Sequence, residues 1–143
     1  MSADIDFVSV ALLIVDPELD PEQITGLLRR KPTFSALRGA DPEGFRAGLT
    51  DPPGIWIYEL PRSPEWELAD ALDTLLSLFP DDPDVWATLH RLADLHVVCH
   101  LVVAGPGRDA SLPPHTLEAL AARRLSLGIQ LTAPGHRLPR KER

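Results

Sequence analysis

Cysteine and long apolar runs are scarce in this sequence, and their scarcity excludes several kinds of protein. Cys99 is the single cysteine, so the chain can form no intramolecular disulfide and no zinc site built from several cysteines. The longest early apolar stretch, residues 8–15, is broken only by Ser9 and is shorter than the about 20 residues of a membrane span. Asp4 and Asp6 precede that stretch, where a signal peptide would carry cations. We therefore expect a cytoplasmic protein, since a reducing compartment suits a single free cysteine.

Glycine motifs that bind phosphate are absent, and negative charge outweighs positive charge. Neither G-x-x-x-x-G-K-S/T nor G-x-G-x-x-G occurs. The net charge is −7, which disfavours general binding to nucleic acid or to an anionic membrane. Arg29, Arg30 and Lys31 are consecutive cations, but they end a helical pattern, where the helix dipole stabilises positive charge. A phosphate site would lie at a helix N-terminus, so we interpret these cations as the end of a helix.

The length and composition are those of one globular domain. The chain has 143 residues, of which 44% are apolar and 24% charged, and these values suit a soluble domain with its own core. We predict a single α+β domain over residues 1–133. Residues 134–143 contain too few apolar side chains to pack on that core, so we predict a mobile C-terminal tail.

Apolar patterning predicts four strands and four helices. The strands are predicted at residues 5–15, 55–60, 95–104 and 125–131. The helices should begin where a capping residue precedes a proline or where two prolines are adjacent; these starts are Asp20-Pro21, Ser63-Pro64, Asp82-Pro83 and Pro113-Pro114. Residues 31–54 contain four prolines and four glycines, and we predict one long loop there.

Helical spacing predicts which side chains face the core. In the second helix the apolar stripe consists of Leu68, Leu72, Leu75, Leu76 and Phe79. In the third helix the inward side chains are predicted to be Val85, Trp86, Leu89 and Leu92. In the fourth helix they are predicted to be Leu117, Leu120 and Ala121.

Two segments of the chain echo each other. Residues 19–30 and 112–124 share the frame Leu-x-Pro-x-x-(Ile/Leu)-x-x-Leu followed by arginine. The echo reflects either a duplicated unit or shared capping chemistry alone. The layout that accommodates it has two β-α-β halves, residues 5–60 and 95–132, joined by a helical pair at 63–93. We therefore predict a ferredoxin-like plan with a four-stranded sheet on which the helices pack.

Histidines and the cysteine are interpreted as structural. His96 and His100 lie four residues apart, which on a helix would make a metal-binding pair. Their neighbours are β-branched, and on a strand these positions are about 13 Å apart, too far to share one ion. Cys99 alternates to the opposite face and is predicted to be a small buried apolar residue. No catalytic, cofactor-binding or metal-binding residue is therefore predicted.

An acidic segment is the main candidate for a partner surface. Residues 62–84 carry seven acidic residues against one basic residue, Arg62. Some of these acids cap helices, whereas Asp70 and Asp73 are predicted on the solvated face opposite the leucines. An acidic field accelerates association with a basic protein. The candidate surface comprises Glu67, Asp70, Asp73, Asp81 and Asp84.

The alternative candidate is a pocket beside the second predicted strand. Trp56 and Tyr58 share one face of that strand, next to the long loop at 31–54. Aromatic side chains with a loop can form the wall of a small-molecule or enzymatic site. Packing in the core is the competing interpretation of both rings.

Short motifs connect the sequence to a known family. They are Leu19-Asp20-Pro21 with Ile24, then Pro32-Thr33, Gly39 and Trp56. The sequence resembles a family of bacterial proteins of about this length that is classed as a domain of unknown function. The resemblance implies an α+β fold and no established catalytic activity, and some members look like immunity proteins of toxin systems. We thus predict a non-enzymatic protein-binding module with a basic protein partner and no cofactor, and homodimerisation stays open.

Overall fold

The computed structural model describes residues 5–40, 50–61, 67–103 and 109–132, which form an α+β fold. The strands are β1 (Ile5–Asp16), β2 (Phe34–Ala36), β3 (Gly54–Glu59), β4 (Asp94–Val103) and β5 (Ser126–Thr132). The helices are α1 (Pro21–Leu28), α2 (Leu68–Ser77), α3 (Pro83–Leu92) and α4 (Pro114–Ala122). The tail predicted at 134–143 lies outside the described residues.

The strands form one mixed sheet in the order β2-β3-β1-β4-β5. β1 is central and pairs antiparallel with both β3 and β4, and β2 pairs antiparallel with β3. β4 and β5 run parallel, and α4 forms the crossover that parallel neighbours require. Residues 8–16 of β1 are all buried or half-buried, in agreement with the apolar residues at alternating positions of its sequence.

The predicted sheet was too small by one strand. β2 lies inside the segment predicted as one long loop, and its three residues are too few to give a readable alternation. The ferredoxin-like plan is not confirmed. β1 and β3 are antiparallel neighbours, so the first half of the chain does not form a parallel crossover. The second half, β4-α4-β5, does form the predicted β-α-β unit.

One face of the sheet carries the core. Alternation along the strands directs Val10, Leu12 and Ile14 of β1 to this face, where they pack with side chains from all four helices. Neighbouring strands add Trp56 and Val97, both fully buried. Each fully buried large apolar side chain stabilises the fold by about 1.5–3 kcal/mol, so this cluster holds helices and sheet together.

α1 and α3 begin as their sequences predict. The Asp20 side chain accepts a hydrogen bond of 3.1 Å from the backbone N–H of Glu22, and Pro21 is the first residue of α1. Asp82 caps α3 in the same way, because its Oδ1 accepts a hydrogen bond of 2.9 Å from the backbone N–H of Asp84. These caps satisfy backbone donors that have no partner inside the helix.

The apolar stripe of α2 is confirmed. All five predicted side chains are buried: Leu68, Leu72, Leu75, Leu76 and Phe79. The start predicted at Ser63-Pro64 is wrong, because Glu67 has an extended backbone as the N-cap and α2 begins at Leu68. In α3, Trp86 and Leu89 are buried, while Val85 and Leu92 are partly buried against the same core.

The face predicted for α4 is largely wrong. Leu120 is buried, but Leu117 is 49% exposed and Ala121 is also exposed. Thr116 is fully buried instead, because its hydroxyl donates a hydrogen bond of 2.7 Å to Asp73 on α2. α4 thus faces the core with Thr116 and Leu120, and not with the residues that its apolar pattern indicates.

Candidate functional site

The acidic residues of α2 and α3 divide into two exposed pairs. Glu67 and Asp70 lie at the start of α2, and Asp81 and Asp84 lie at the start of α3. At 1.5 Å rise per residue, the ten residues of α2 separate the two pairs by about 15 Å. All four side chains belong to exposed residues, and within the described ranges none forms an ion pair. We call these four residues the acidic surface.

Asp73 differs from the other four residues of the predicted surface. Its side chain is 35% exposed, and both carboxylate oxygens accept hydrogen bonds from α4. His115 Nε2 lies 2.9 Å from Oδ2, and Thr116 donates to Oδ1 at 2.7 Å. Asp73 therefore joins two helices, whereas the sequence predicted a solvated position for it.

The two aromatic residues of β3 have different environments. Trp56 is fully buried, its indole N–H donates to Thr25 Oγ1 at 3.1 Å, and its ring meets Phe79 edge-on. Tyr58 is half-buried and also meets Phe79 edge-on, at 5.7 Å between ring centroids. The Arg30 guanidinium lies 5.7 Å from the Tyr58 ring centre, a cation–π distance, so part of the basic run packs against the domain.

A shallow depression of about 390 Å³ lies beside Tyr58. Thr33, Glu59, Leu60 and Pro61 also line it, but Trp56 does not. Two of its polar residues already have partners, because Glu59 donates its N–H to Thr33 Oγ1 at 2.9 Å and accepts the Ser9 hydroxyl at 2.7 Å. The aromatic pair predicted as a pocket wall is thus divided between core and surface.

His96 and His100 lie on strand β4, as predicted, with Cys99 facing the core. His96 Nδ1 is 2.8 Å from Ser126 Oγ, and His100 Nε2 is 2.9 Å from Thr132 Oγ1, so both rings are hydrogen-bonded to β5. Cys99 is buried, and burial raises the pKa of its thiol to about 12. The thiol is therefore protonated at neutral pH and is a poor nucleophile.

The family model of a domain of unknown function, DUF4279, matches residues 6–134. The chain belongs to the DUF4279 family. No curated protein and no solved structure gives a significant match. The resemblance deduced from the short motifs is confirmed, and the α+β fold agrees with what it implied.

An ion-paired cluster in this DUF4279 domain was not predicted. Arg38 donates to Asp51 through Nε and Nη2, at 3.1 and 2.8 Å, and its Nη1 bonds Glu18. The hydrogen bonds from Arg38 hold the pKa of Asp51 below its usual value. The three residues are 13 and 20 positions apart, so no local spacing indicates their proximity.

Metal clusters and membrane-spanning helices are both absent from the described residues. Among the described residues, no three His, Cys, Asp or Glu side chains converge in a way that could hold a metal ion. Within the same ranges, every helix is too short or too polar to cross a membrane.

Proposed function

We propose that this DUF4279 protein is a non-enzymatic protein-binding module that docks a basic protein through the acidic surface. The observation that carries the proposal is the set of four exposed carboxylates, Glu67, Asp70, Asp81 and Asp84, that no cation neutralises in the described parts of the chain. Since the whole chain also has a net charge of −7, the local and global fields have the same sign. Such fields steer oppositely charged partners into encounter.

The surroundings of the chemically reactive side chains favour binding over catalysis. His90 bonds the carbonyl of Arg123 at 2.9 Å, and His115 bonds Asp73. His96 and His100 bond hydroxyls of β5, and Cys99 is buried. A general base or a nucleophile has to reach a substrate, whereas these groups hold elements of the fold together.

An immunity-like role is the specific form that we propose. An acidic module of this kind would neutralise a basic toxin by covering its positive surface, and it would do so in the bacterial cytoplasm. The single cysteine suits that reducing compartment. A toxin gene beside the gene for this protein would support the role, whereas an operon of metabolic enzymes would favour the alternative below.

The experiment compares two fourfold variants as baits in the same bacterial lysate. One carries Glu67→Gln, Asp70→Asn, Asp81→Asn and Asp84→Asn. The control neutralises four exposed acids outside the acidic surface, through Glu22→Gln, Asp94→Asn, Asp109→Asn and Glu118→Gln. Both have the same net charge, so only the location of the negative charge differs. A protein retained by the wild type and the control, but lost by the first variant, is the expected partner.

The kinetics of the retained protein complete the test. Association with the first variant should be at least about tenfold slower than with the control. The difference should shrink at high salt, because exposed charges are screened beyond about 8–10 Å at physiological ionic strength. Equal effects of both variants would show that net charge, and not this surface, attracts the partner. No effect of either variant would exclude the acidic surface.

Small-molecule binding at the depression beside Tyr58 is the second candidate function. The depression itself is the observation that favours it, although Thr33 and Glu59 in its lining are already hydrogen-bonded. A compound that binds there should raise the melting temperature of the wild type and fail to do so for Glu59→Gln. A shift that is the same in both proteins would place the compound elsewhere.

A further inference from the structure

We propose that the protein forms a homodimer in which β5 of one chain pairs antiparallel with β5 of a second copy. β5 is the last strand of the sheet, and no strand in the described ranges pairs with its outer edge. A strand at such an edge presents unpaired backbone N–H and C=O groups, which are a template for another strand. This inference goes beyond the proposed function, because it concerns a different surface and a different partner.

The two edges of the sheet are protected to different degrees. β2, the opposite edge, has only three residues and is flanked by Lys31-Pro32 and Arg38. Short length, proline and charge are the usual devices that prevent pairing at an edge. β5 has seven residues, SLGIQLT, with no proline and no charge inside the strand, while Arg124 and Pro134 lie two residues beyond its ends. The β5 edge is therefore more than twice as long as the β2 edge and presents more backbone groups to a second strand.

Exposed apolar side chains concentrate around β5. Among the described residues, five large apolar side chains are exposed, and three of them, Leu117, Ile129 and Leu131, lie on α4 or β5. Ile129 is 52% exposed and Leu131 is 67% exposed, on the same side of the sheet as the helices. Leu117 of α4 is 49% exposed. Apolar patches of this kind mark interaction surfaces more often than scattered single residues do.

The sequence of β5 is complementary to itself. Suppose that the twofold axis lies midway between the Ile129 residues of the two copies. Ile129 then pairs with Ile129, and Leu127 pairs with Leu131. On the other face, Ser126 meets Thr132 and Gly128 meets Gln130, so that all seven residues of the strand are paired. Apolar residues thus meet apolar residues and polar residues meet polar ones, as cross-strand stabilisation requires.

The absence of charge on β5 makes this edge the place where two acidic copies can meet with little local repulsion. Each chain carries a net charge of −7, so two copies repel each other when acidic segments meet. The strand itself is uncharged, and its self-pairing places no like charges directly opposite. A twofold axis perpendicular to the sheet also keeps the helices of both copies on one side, where the second chain covers Ile129 and Leu131.

The mass of the full chain in solution tests the dimer. Light scattering over a concentration series should approach twice the 15.7 kDa of one chain. Ile129→Lys places two ammonium groups at the twofold axis and should shift the mass to that of the monomer, with circular dichroism unchanged. Leu37→Lys is the matched control, because Leu37 is 60% exposed beside the opposite edge strand, and it should stay dimeric. A wild-type monomer at every concentration, or an Ile129→Lys dimer, would overturn the proposal.

Crosslinking tests the register. Residues directly opposite in an antiparallel pair have Cα atoms about 4.5–5.5 Å apart, within the range that a disulfide spans. Ile129→Cys should therefore form a disulfide-linked dimer on mild oxidation. Gln130→Cys should not, because position 130 faces Gly128 of the other copy and the two introduced thiols lie too far apart. Crosslinking through position 130 with none through position 129 would contradict the pairing, whereas native Cys99 is buried and common to both variants.

Discussion

α1 and α4 share one sequence frame, yet they bury different faces. Both helices begin at a proline, and three residues later Ile24 in α1 corresponds to Leu117 in α4. Ile24 is fully buried, whereas Leu117 is 49% exposed. The residue before each of them shows the reverse, since Gln23 is exposed and Thr116 is fully buried. α4 is thus turned by about one residue, or about 100°, relative to the face that the shared frame indicates.

The neighbours of each helix explain the difference. α1 contacts β3 and α3 near the middle of the sheet, and Thr25 accepts the indole N–H of Trp56 there. α4 lies beside the edge strand β5 and is attached to α2 by the hydrogen bond from Thr116 to Asp73. An apolar stripe is buried only where other elements cover it, so the same pattern gives a core helix in one place and an exposed apolar side chain in the other.

The largest expected difference is in stability. Ile24→Ala should lower the free energy of unfolding by about 2–5 kcal/mol, because it leaves a cavity in the core. Leu117→Ala, at the equivalent position of α4, should change the free energy of unfolding by less than about 0.5 kcal/mol. The comparison is made at low protein concentration, where the chain is monomeric. Urea unfolding monitored by circular dichroism measures both. Similar losses would mean that α4 buries the same face as α1.

The polar contact that turns α4 should have an intermediate effect. Thr116→Val keeps the shape of the side chain but removes the donor to Asp73 Oδ1, and should destabilise the protein by about 1–3 kcal/mol. Gln23→Ala alters the equivalent, exposed position of α1 and should stay within about 0.5 kcal/mol. The same urea series compares them. If Thr116→Val is neutral, this hydrogen bond does not determine the orientation of α4.

The C-terminal ends of the two helices should respond alike. Arg29 after α1 and Arg124 after α4 both adopt the left-handed conformation, with φ of 58° and 55°. This conformation is strained for residues other than glycine. Arg29→Gly and Arg124→Gly should therefore each raise the free energy of unfolding by up to about 1 kcal/mol. Thermal melting would show whether one of them destabilises instead, in which case that arginine has a contact that outweighs the strain.

Zinc should not change the melting temperature, and this result would support the interpretation that the histidines facing β5 are structural. His96 and His100 are each bonded to a hydroxyl of β5 and lie about 13 Å apart along the strand. Addition of Zn²⁺ should leave the melting temperature of the wild type unchanged, and the His96→Gln variant should behave identically. A zinc-dependent increase that His96→Gln abolishes would reveal a metal site on this face.

Several elements of the fold could be predicted because their signals are local. Asp20-Pro21 and Asp82-Pro83 start helices through contacts within a few residues, and the leucine stripe of α2 repeats at the helical period. β2 could not be predicted, since a three-residue strand exists only through pairing with β3. Of the candidate site, solvated positions were predicted for Asp70 and Asp73; Asp70 is exposed, whereas Asp73 is partly buried against α4.

The sequence by itself determined where most helices and strands lie, that Cys99 faces the core, and that the chain is acidic, because these properties depend on neighbouring residues or on composition. Only the tertiary structure decided that Asp73 binds α4, that Trp56 lies in the core while Tyr58 borders a depression, and that no strand of the described residues pairs with the outer edge of β5. Each of these depends on residues that are distant in the chain. The physical reason is that burial is a relation between elements, whereas capping and periodicity are properties of a single segment.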